Sequence, residues 1–100
     1  LTVIQVLIRY HAEGAKAALA LIDIPSSLDL HNLKVGLLLE LGQVDEVFIE
    51  LKNLAQVFVA DSETNRIHAL ALLDKGDIAG AQVKIQQARY DNPTWEKVRA

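Results

Sequence analysis

Apolar residues recur along the chain at intervals of three and four positions, the spacing of helices that bury one face. In the first segment these positions are Val3, Ile4, Leu7, Ile8 and His11. The same pattern predicts further helices over residues 16–23, 28–41, 44–59, 65–75 and 78–90, and a last one that begins near Thr94. We therefore expect an all-α chain of about six helices plus the start of a seventh.

Glycines separate the members of the predicted helix pairs. Gly14, Gly42 and Gly76 each follow the last apolar residue of a segment, which is where a helix C′ position favours glycine. Longer polar turns separate one pair from the next. The chain thus alternates helix, tight glycine turn, helix and longer turn, which is the pattern of consecutive helical hairpins.

The longer turns carry capping and helix-stopping residues. Pro25 disfavours helical backbone at the residue before it, and Ser26 or Ser27 can accept hydrogen bonds from the free N–H groups of the third helix. Residues 61–64 are predicted to form the polar turn before the fifth helix. Asp77 is the expected N-cap of the sixth helix, and residues 91–93 are its expected end.

The two later glycine turns repeat at a fixed interval. From Gly42 to Gly76 the chain advances 34 residues, which is the tetratricopeptide period. Around Gly76 the match extends to Ala69, Leu72, Ala81, Ile85, Ala88 and Pro93. Here the chain resembles a tetratricopeptide repeat, which implies a right-handed stack of antiparallel helical hairpins.

The resemblance divides the chain into units of about 1–27, 28–61 and 62–95 within a single domain, 1–100. The second unit keeps the apolar face but has larger residues where the family has small ones. The first unit keeps the tyrosine-to-glycine spacing at Tyr10 and Gly14, but its second helix is short by about six residues. An unrelated array of helical hairpins with the same spacing is the alternative interpretation.

Both ends of the sequence interrupt a pattern. Leu1 lies within an apolar periodic segment, and Ala100 lies a few residues into a new one. We therefore expect a fragment of a longer, bacterial-looking protein. The cytoplasm is the expected compartment, with the periplasm as the alternative.

Composition and charge narrow the classes of function. Ten Lys and Arg residues against 13 Asp and Glu give a net charge of −3, which argues against a nucleic-acid partner. The absence of Cys excludes disulfides and thiolate chemistry. The longest uncharged stretches, such as 53–60, are far below the ~20 residues of a bilayer span, so no membrane span is expected.

The sequence offers no catalytic or cofactor motif. His11, His31 and His68 have no ligand partner at helical spacing, and the glycines form no phosphate-binding loop. The His11–Glu13 pair has the H-x-E spacing of zinc deaminases, but it lacks the Cys residues of that signature. We therefore expect no enzyme, metal or cofactor in this region.

The resemblance implies that the first helix of each pair lines a concave groove. Transferred residue by residue, the groove positions are Ile4, Ile8, His11, Ala12, Asp29, Asn32, Gly36, Leu39, Glu40, Glu63, Arg66, Leu70, Leu73 and Asp74. Four acids against one Arg would favour a basic or amphipathic peptide. They disfavour the chaperone C-termini that related repeats grip with Lys and Asn. The alternative interpretation of Glu40, Glu63 and Asp74 is an ordinary solvated face.

Two functional hypotheses follow from these surfaces. The first is a scaffold that binds a peptide or partner domain through the groove. The second is a homo-oligomerisation or regulatory domain of a larger bacterial protein, such as a transcription regulator or a secretion or assembly factor. It rests on residues 1–12, whose first ten positions carry one charge and are apolar nearly all round. In a third hypothesis, chemistry lies elsewhere in the parent chain.

Overall fold

A computed structural model describes residues 1–90, with side chains described as far as Ala88. This part of the chain contains helices and no strand. The helices are α1 (Val3–Glu13), α2 (Ala15–Leu21), α3 (Leu28–Glu40), α4 (Val44–Val57), α5 (Ser62–Asp74) and α6 (Ile78–Tyr90). The prediction of an all-α fold is confirmed. The expected stop at residues 91–93 and the helix expected near Thr94 lie outside the described residues.

The turns after α3 and α5 have the same geometry. Gly42 has a φ of 75°, a left-handed value that favours glycine, and the N–H of Gln43 donates to the carbonyl of Leu38 at 2.9 Å. Around Gly76, with a φ of 83°, the N–H of the following residue donates to the carbonyl of Leu72 at 2.9 Å. Both are Schellman motifs, which satisfy carbonyls that a helix end leaves free. The glycines predicted as helix terminators therefore close two matching turns.

Polar side chains set the beginnings of α3 and α5. Ser27 caps α3 by accepting a hydrogen bond from the N–H of Leu30 at 3.2 Å. The sequence pattern places the start of the fifth helix at Asn65, whereas α5 begins at Ser62. The reason is a capping box, in which Asp61 accepts from the Thr64 N–H and the Thr64 hydroxyl accepts from the Asp61 N–H. Three residues assigned to the turn therefore form the first turn of α5.

Consecutive helices pack as pairs: α1 with α2, α3 with α4, and α5 with α6. The first helices of the pairs also lie side by side, α1 against α3 and α3 against α5. The second helix of the first pair, α2, has 7 residues against 14 in α4, as its sequence predicts. Of the described helices, α6 packs only against α5.

Two apolar clusters hold the pairs together. One joins α1, α2 and α3 and contains Val6, Ala18, Ile22, Leu30 and Leu37. The other joins α3, α4 and α5 and contains Val35, Leu38, Val44, Val47, Leu51, Ile67 and Ala71. Because α3 contributes to both clusters, it is buried on two sides and forms the centre of the described fold. Each large aliphatic side chain buried there contributes about 1.5–3 kcal/mol.

Candidate functional site

The first helices of the three pairs leave a cavity of about 520 Å³ along one face of the molecule. We call this cavity the groove. Its lining residues are Val3, Leu7, Asp29, Asn32, Leu33, Gly36, Glu63, Arg66 and Ile67. An adjoining hollow of about 200 Å³ shares Leu7, Leu33 and Gly36 with it and adds Tyr10, Leu37 and Glu40. The groove therefore has an apolar floor with polar groups at its edges.

Gly36 gives the groove part of its depth. It lies within α3, and a Cβ atom placed there would have a single neighbour outside its own helix within 4 Å, the Cδ1 atom of Ile67 at 3.8 Å. That separation is ordinary van der Waals contact. A side chain at position 36 therefore has room, and it would extend into the space that the glycine leaves open.

Two charged side chains form one edge of the groove. The Arg66 guanidinium donates two hydrogen bonds to the Glu63 carboxylate, at 3.0 Å from Nε and 2.6 Å from Nη2. This hydrogen-bonded pair raises the pKa of Arg66 above its ordinary value, in spite of an opposing effect of burial. Both side chains are about half exposed, so the pair contributes little to stability. Its effect is to balance the charges of Arg66 and Glu63 at the groove.

Tyr10 and Glu40 close the adjoining hollow. The Tyr10 hydroxyl donates to Oε1 of Glu40 at 2.5 Å. This hydrogen bond, together with the negative charge of Glu40, raises the pKa of Tyr10. The tyrosine therefore stays protonated at neutral pH and links α1 to the end of α3.

A buried polar network holds Asn32 in the groove wall. Asn32 is only 5% exposed; its amide group donates to Oδ1 of Asp61 at 3.0 Å, and its carbonyl oxygen accepts from the Thr64 hydroxyl at 2.6 Å. Burial raises the pKa of Asp61, but hydrogen bonds from Thr64, Asn32 and the Glu63 backbone outweigh it, so the pKa lies below its ordinary value. The network joins α3 to the beginning of α5, two of the helices that line the groove.

The expected groove positions fall into three sets. Asp29, Asn32, Gly36, Glu63 and Arg66 line the groove, and Glu40 lines the adjoining hollow. Leu39 packs against the core around α3, α4 and α5. The remaining expected positions lie outside both linings and are exposed; they are Ile4, Ile8, His11 and Ala12 on α1, and Leu70, Leu73 and Asp74 on α5.

On α1, Val3 and Leu7 line the groove and Tyr10 lines the adjoining hollow; these residues each precede an expected position by one residue. Periodicity alone does not distinguish the two rows, because both are apolar and α1 is apolar nearly all round. The spacing from Tyr10 to Gly14 distinguishes the two rows. Tyr10 matches the tyrosine position of the tetratricopeptide pattern, and it lies on the row that lines the cavities.

The three histidines lie in separate environments. His11 is exposed, whereas His31 is 7% exposed and its ring lies 5.9 Å from that of Phe58. Burial lowers the pKa of His31. The Glu50 carboxylate, with Oε2 at 3.8 Å from Nε2 of His31, opposes this shift. Burial also lowers the pKa of His68. In the described part of the chain, no three acidic or histidine side chains converge as ligands of a metal ion would.

Comparisons with known proteins return no relative. No family model matches the chain, and no curated protein or solved structure matches it either. Within residues 1–90, no helix is both long enough and apolar enough to cross a membrane.

Proposed function

We propose that this chain is a tetratricopeptide-like scaffold whose groove binds a peptide segment of a partner protein. The observation that carries the proposal is the groove itself, an apolar channel formed by the first helices of three successive pairs and edged by charged groups. Matching turns 34 residues apart support the assignment to this class. Long apolar grooves with polar edges suit the apolar face of an amphipathic helix.

The charges of the groove define the partner's chemistry. Asp29, Glu40 and Glu63 supply three carboxylates to the groove and the adjoining hollow; the Arg66 guanidinium offsets that of Glu63, so Asp29 and Glu40 leave the described lining with a net negative charge. A cationic segment would be attracted to these edges, while Leu7 and the other floor residues would accept its apolar side chains. Electrostatic attraction speeds encounter, and the apolar contacts supply most of the affinity. The groove therefore suits a peptide with Leu-like anchors and Lys or Arg beside them.

Position 36 allows a direct test. The probe is a short amphipathic peptide with Leu on one face and Lys on the other, and the control peptide has Glu in place of every Lys. Calorimetry should show that the Lys peptide binds the unmodified chain and Gly36→Ala similarly. Gly36→Leu should weaken binding at least about tenfold, because its side chain fills the channel. Equal affinity for Gly36→Leu, or preference for the Glu peptide, would contradict the proposal.

A second candidate function rests on the outer face of α1. Ile4 and Ile8 are 69% and 63% exposed, one helical turn apart, in a helix with little charge. A second copy of the chain packed on this row would make it a homo-oligomerisation domain, as in a regulatory or assembly protein. Sedimentation velocity should then show association that rises with concentration and is lost in Ile4→Lys/Ile8→Lys. A monomer at every concentration would exclude this function for the chain.

A further inference from the structure

A second cavity, of about 320 Å³, lies between α4, α5 and α6. We call it the wedge. Its lining residues are Phe48, Leu51, Lys52, Leu54, Ala55, Phe58, Ala60, Thr64, Asn65, His68 and Lys84. None of the residues that line the groove also lines the wedge, so the two cavities are separate.

The packing of the helices explains why the wedge is open. Both α4 and α6 pack on α5, but within residues 1–90 they do not pack against each other. The space between them is walled by the half-buried rings of Phe48 and Phe58 and by the buried side chains of Leu51 and Leu54. An apolar cavity of this size is near the lower end of the range of about 300–1,000 Å³ that small-molecule sites occupy.

Two lysines give the wedge a positive charge. Lys52 reaches it from α4 and Lys84 from α6, and the described lining residues include no carboxylate. In contrast, Nζ of Lys34 lies 3.5 Å from Oε1 of Glu50. Similarly, Nζ of Lys75 lies 2.6 Å from Oδ1 of Asp45. Among the described residues, Lys52 and Lys84 have no such ion-pair partner. Lys84 is half-buried and Lys52 is exposed, and both line the wedge.

His68 lines the wedge from α5. Its ring stacks edge-on against Phe48, with centroids 5.9 Å apart. Burial lowers its pKa, and the positive charge of Lys84 lowers it further. The imidazole is therefore neutral at pH 7 and has a ring N–H that can donate to an anion. His68 and Lys84 both line this cavity.

We propose that the wedge binds a small amphipathic carboxylate, with its anionic end between Lys52 and Lys84 and its apolar body against Phe48 and Phe58. A monoanion fits better than a phosphate. The described lining contains no guanidinium for bidentate binding, and the nearby N-terminus of α5 is already capped by the Asp61 carboxylate. The partner class is therefore an aryl or alkyl acid, and the site is independent of the proposed groove function.

A pair of matched ligands tests the charge requirement. Titration of the ¹⁵N-labelled chain with 4-phenylbutyrate should shift amide signals of α4, α5 and α6 around the wedge. The neutral analogue 4-phenylbutanamide should bind about tenfold more weakly, because it leaves the two ammonium groups unpaired. Equal binding of the amide, or shifts centred on the groove, would overturn the assignment. It would also be overturned if the Glu-bearing amphipathic peptide shifted these signals and 4-phenylbutyrate did not.

Lysine variants locate the anion. Lys84→Gln should weaken 4-phenylbutyrate binding about tenfold, because Lys84 is half-buried, and Lys52→Gln, at an exposed position, about threefold. Lys16→Gln on α2 is the matched control and should change nothing. In the free chain, Lys84→Gln should also raise the pKa of His68, which an NMR titration of the ring measures directly. Unchanged affinity in Lys52→Gln/Lys84→Gln would refute the proposal.

Discussion

The groove and the wedge lie on different sides of α5 and differ in charge. Glu63 and Arg66 face the groove, whereas Thr64 and His68 face the wedge. The groove collects carboxylates around aliphatic side chains, and the wedge collects ammonium groups around aromatic ones. A net charge of −3 for the whole chain conceals this separation. Nearly neutral overall composition is therefore compatible with two surfaces of opposite preference.

A polar network connects a residue of the groove to a residue of the wedge. Asn32 lines the groove, Thr64 lines the wedge, and the Thr64 hydroxyl donates to the Asn32 carbonyl oxygen at 2.6 Å. Asp61 accepts hydrogen bonds from both residues. Since buried hydrogen-bonded groups are costly to leave unpaired, we expect a substitution in this network to be destabilising.

The largest effect on stability is expected when the polar network of Asn32, Thr64 and Asp61 is disrupted. Asn32→Ala removes one partner each from Thr64 and Asp61 and should lower the free energy of unfolding by about 1–3 kcal/mol. Urea unfolding followed by circular dichroism measures this change. Asn53→Ala, at an exposed position on α4, is the control and should be nearly neutral. Equal urea midpoints for the two variants would show that the network does not stabilise the fold.

A smaller effect is expected from two helix glycines in different surroundings. Gly36 faces the open groove, so Gly36→Ala should raise the free energy of unfolding by about 1 kcal/mol through helix propensity. Gly80 lies in α6, where a Cβ atom would collide with the Asp77 carboxylate that accepts the Gly80 N–H at 2.9 Å. Gly80→Ala should therefore gain nothing, because it disturbs this cap. Similar stabilisation in both variants would contradict the described surroundings.

The smallest expected effect is on the stability of the chain at acid pH. Because hydrogen bonds hold the pKa of Asp61 below its ordinary value of 3.8, its ionised form favours the folded chain. This contribution is fully present above that ordinary value, which applies to the unfolded chain, and is lost as pH falls through the lower folded pKa. Urea midpoints at a series of pH values should fall less steeply below about pH 4 for Asp61→Asn than for the unmodified chain. If the urea midpoints of the two chains fell in parallel with pH, Asp61 would not contribute to the loss of stability in acid.

Local signals predict much of this fold. The ends of α3 and α5 follow from Gly42 and Gly76, because a left-handed C′ residue is a property of a few neighbouring positions. The start of α5 does not follow from apolar periodicity, since its first turn is polar and depends on the capping box of Asp61 and Thr64. Helix pairing and helix ends can thus be predicted from the sequence. A helix that begins with polar residues can be placed correctly only if its capping residues are recognised.

The two cavities depend on longer-range packing. Five expected positions on α3 and α5 line the groove, but periodicity does not separate the Val3 and Leu7 row of α1 from the Ile4 and Ile8 row. The wedge has no local signal at all. It exists because α4 and α6 both pack on α5 without packing on each other, and that arrangement brings Lys52 and Lys84 to one cavity.

The separation of charge between the cavities is tested most directly by mapping the Leu/Lys peptide on the ¹⁵N-labelled chain. The peptide should shift amide signals of groove residues such as Leu33 and Ile67, leave those of Phe48 and His68 in place, and lose its effect in Gly36→Leu. Shifts centred on the wedge, or a pattern unchanged by Gly36→Leu, would contradict the assignment of the groove as the site for a cationic peptide.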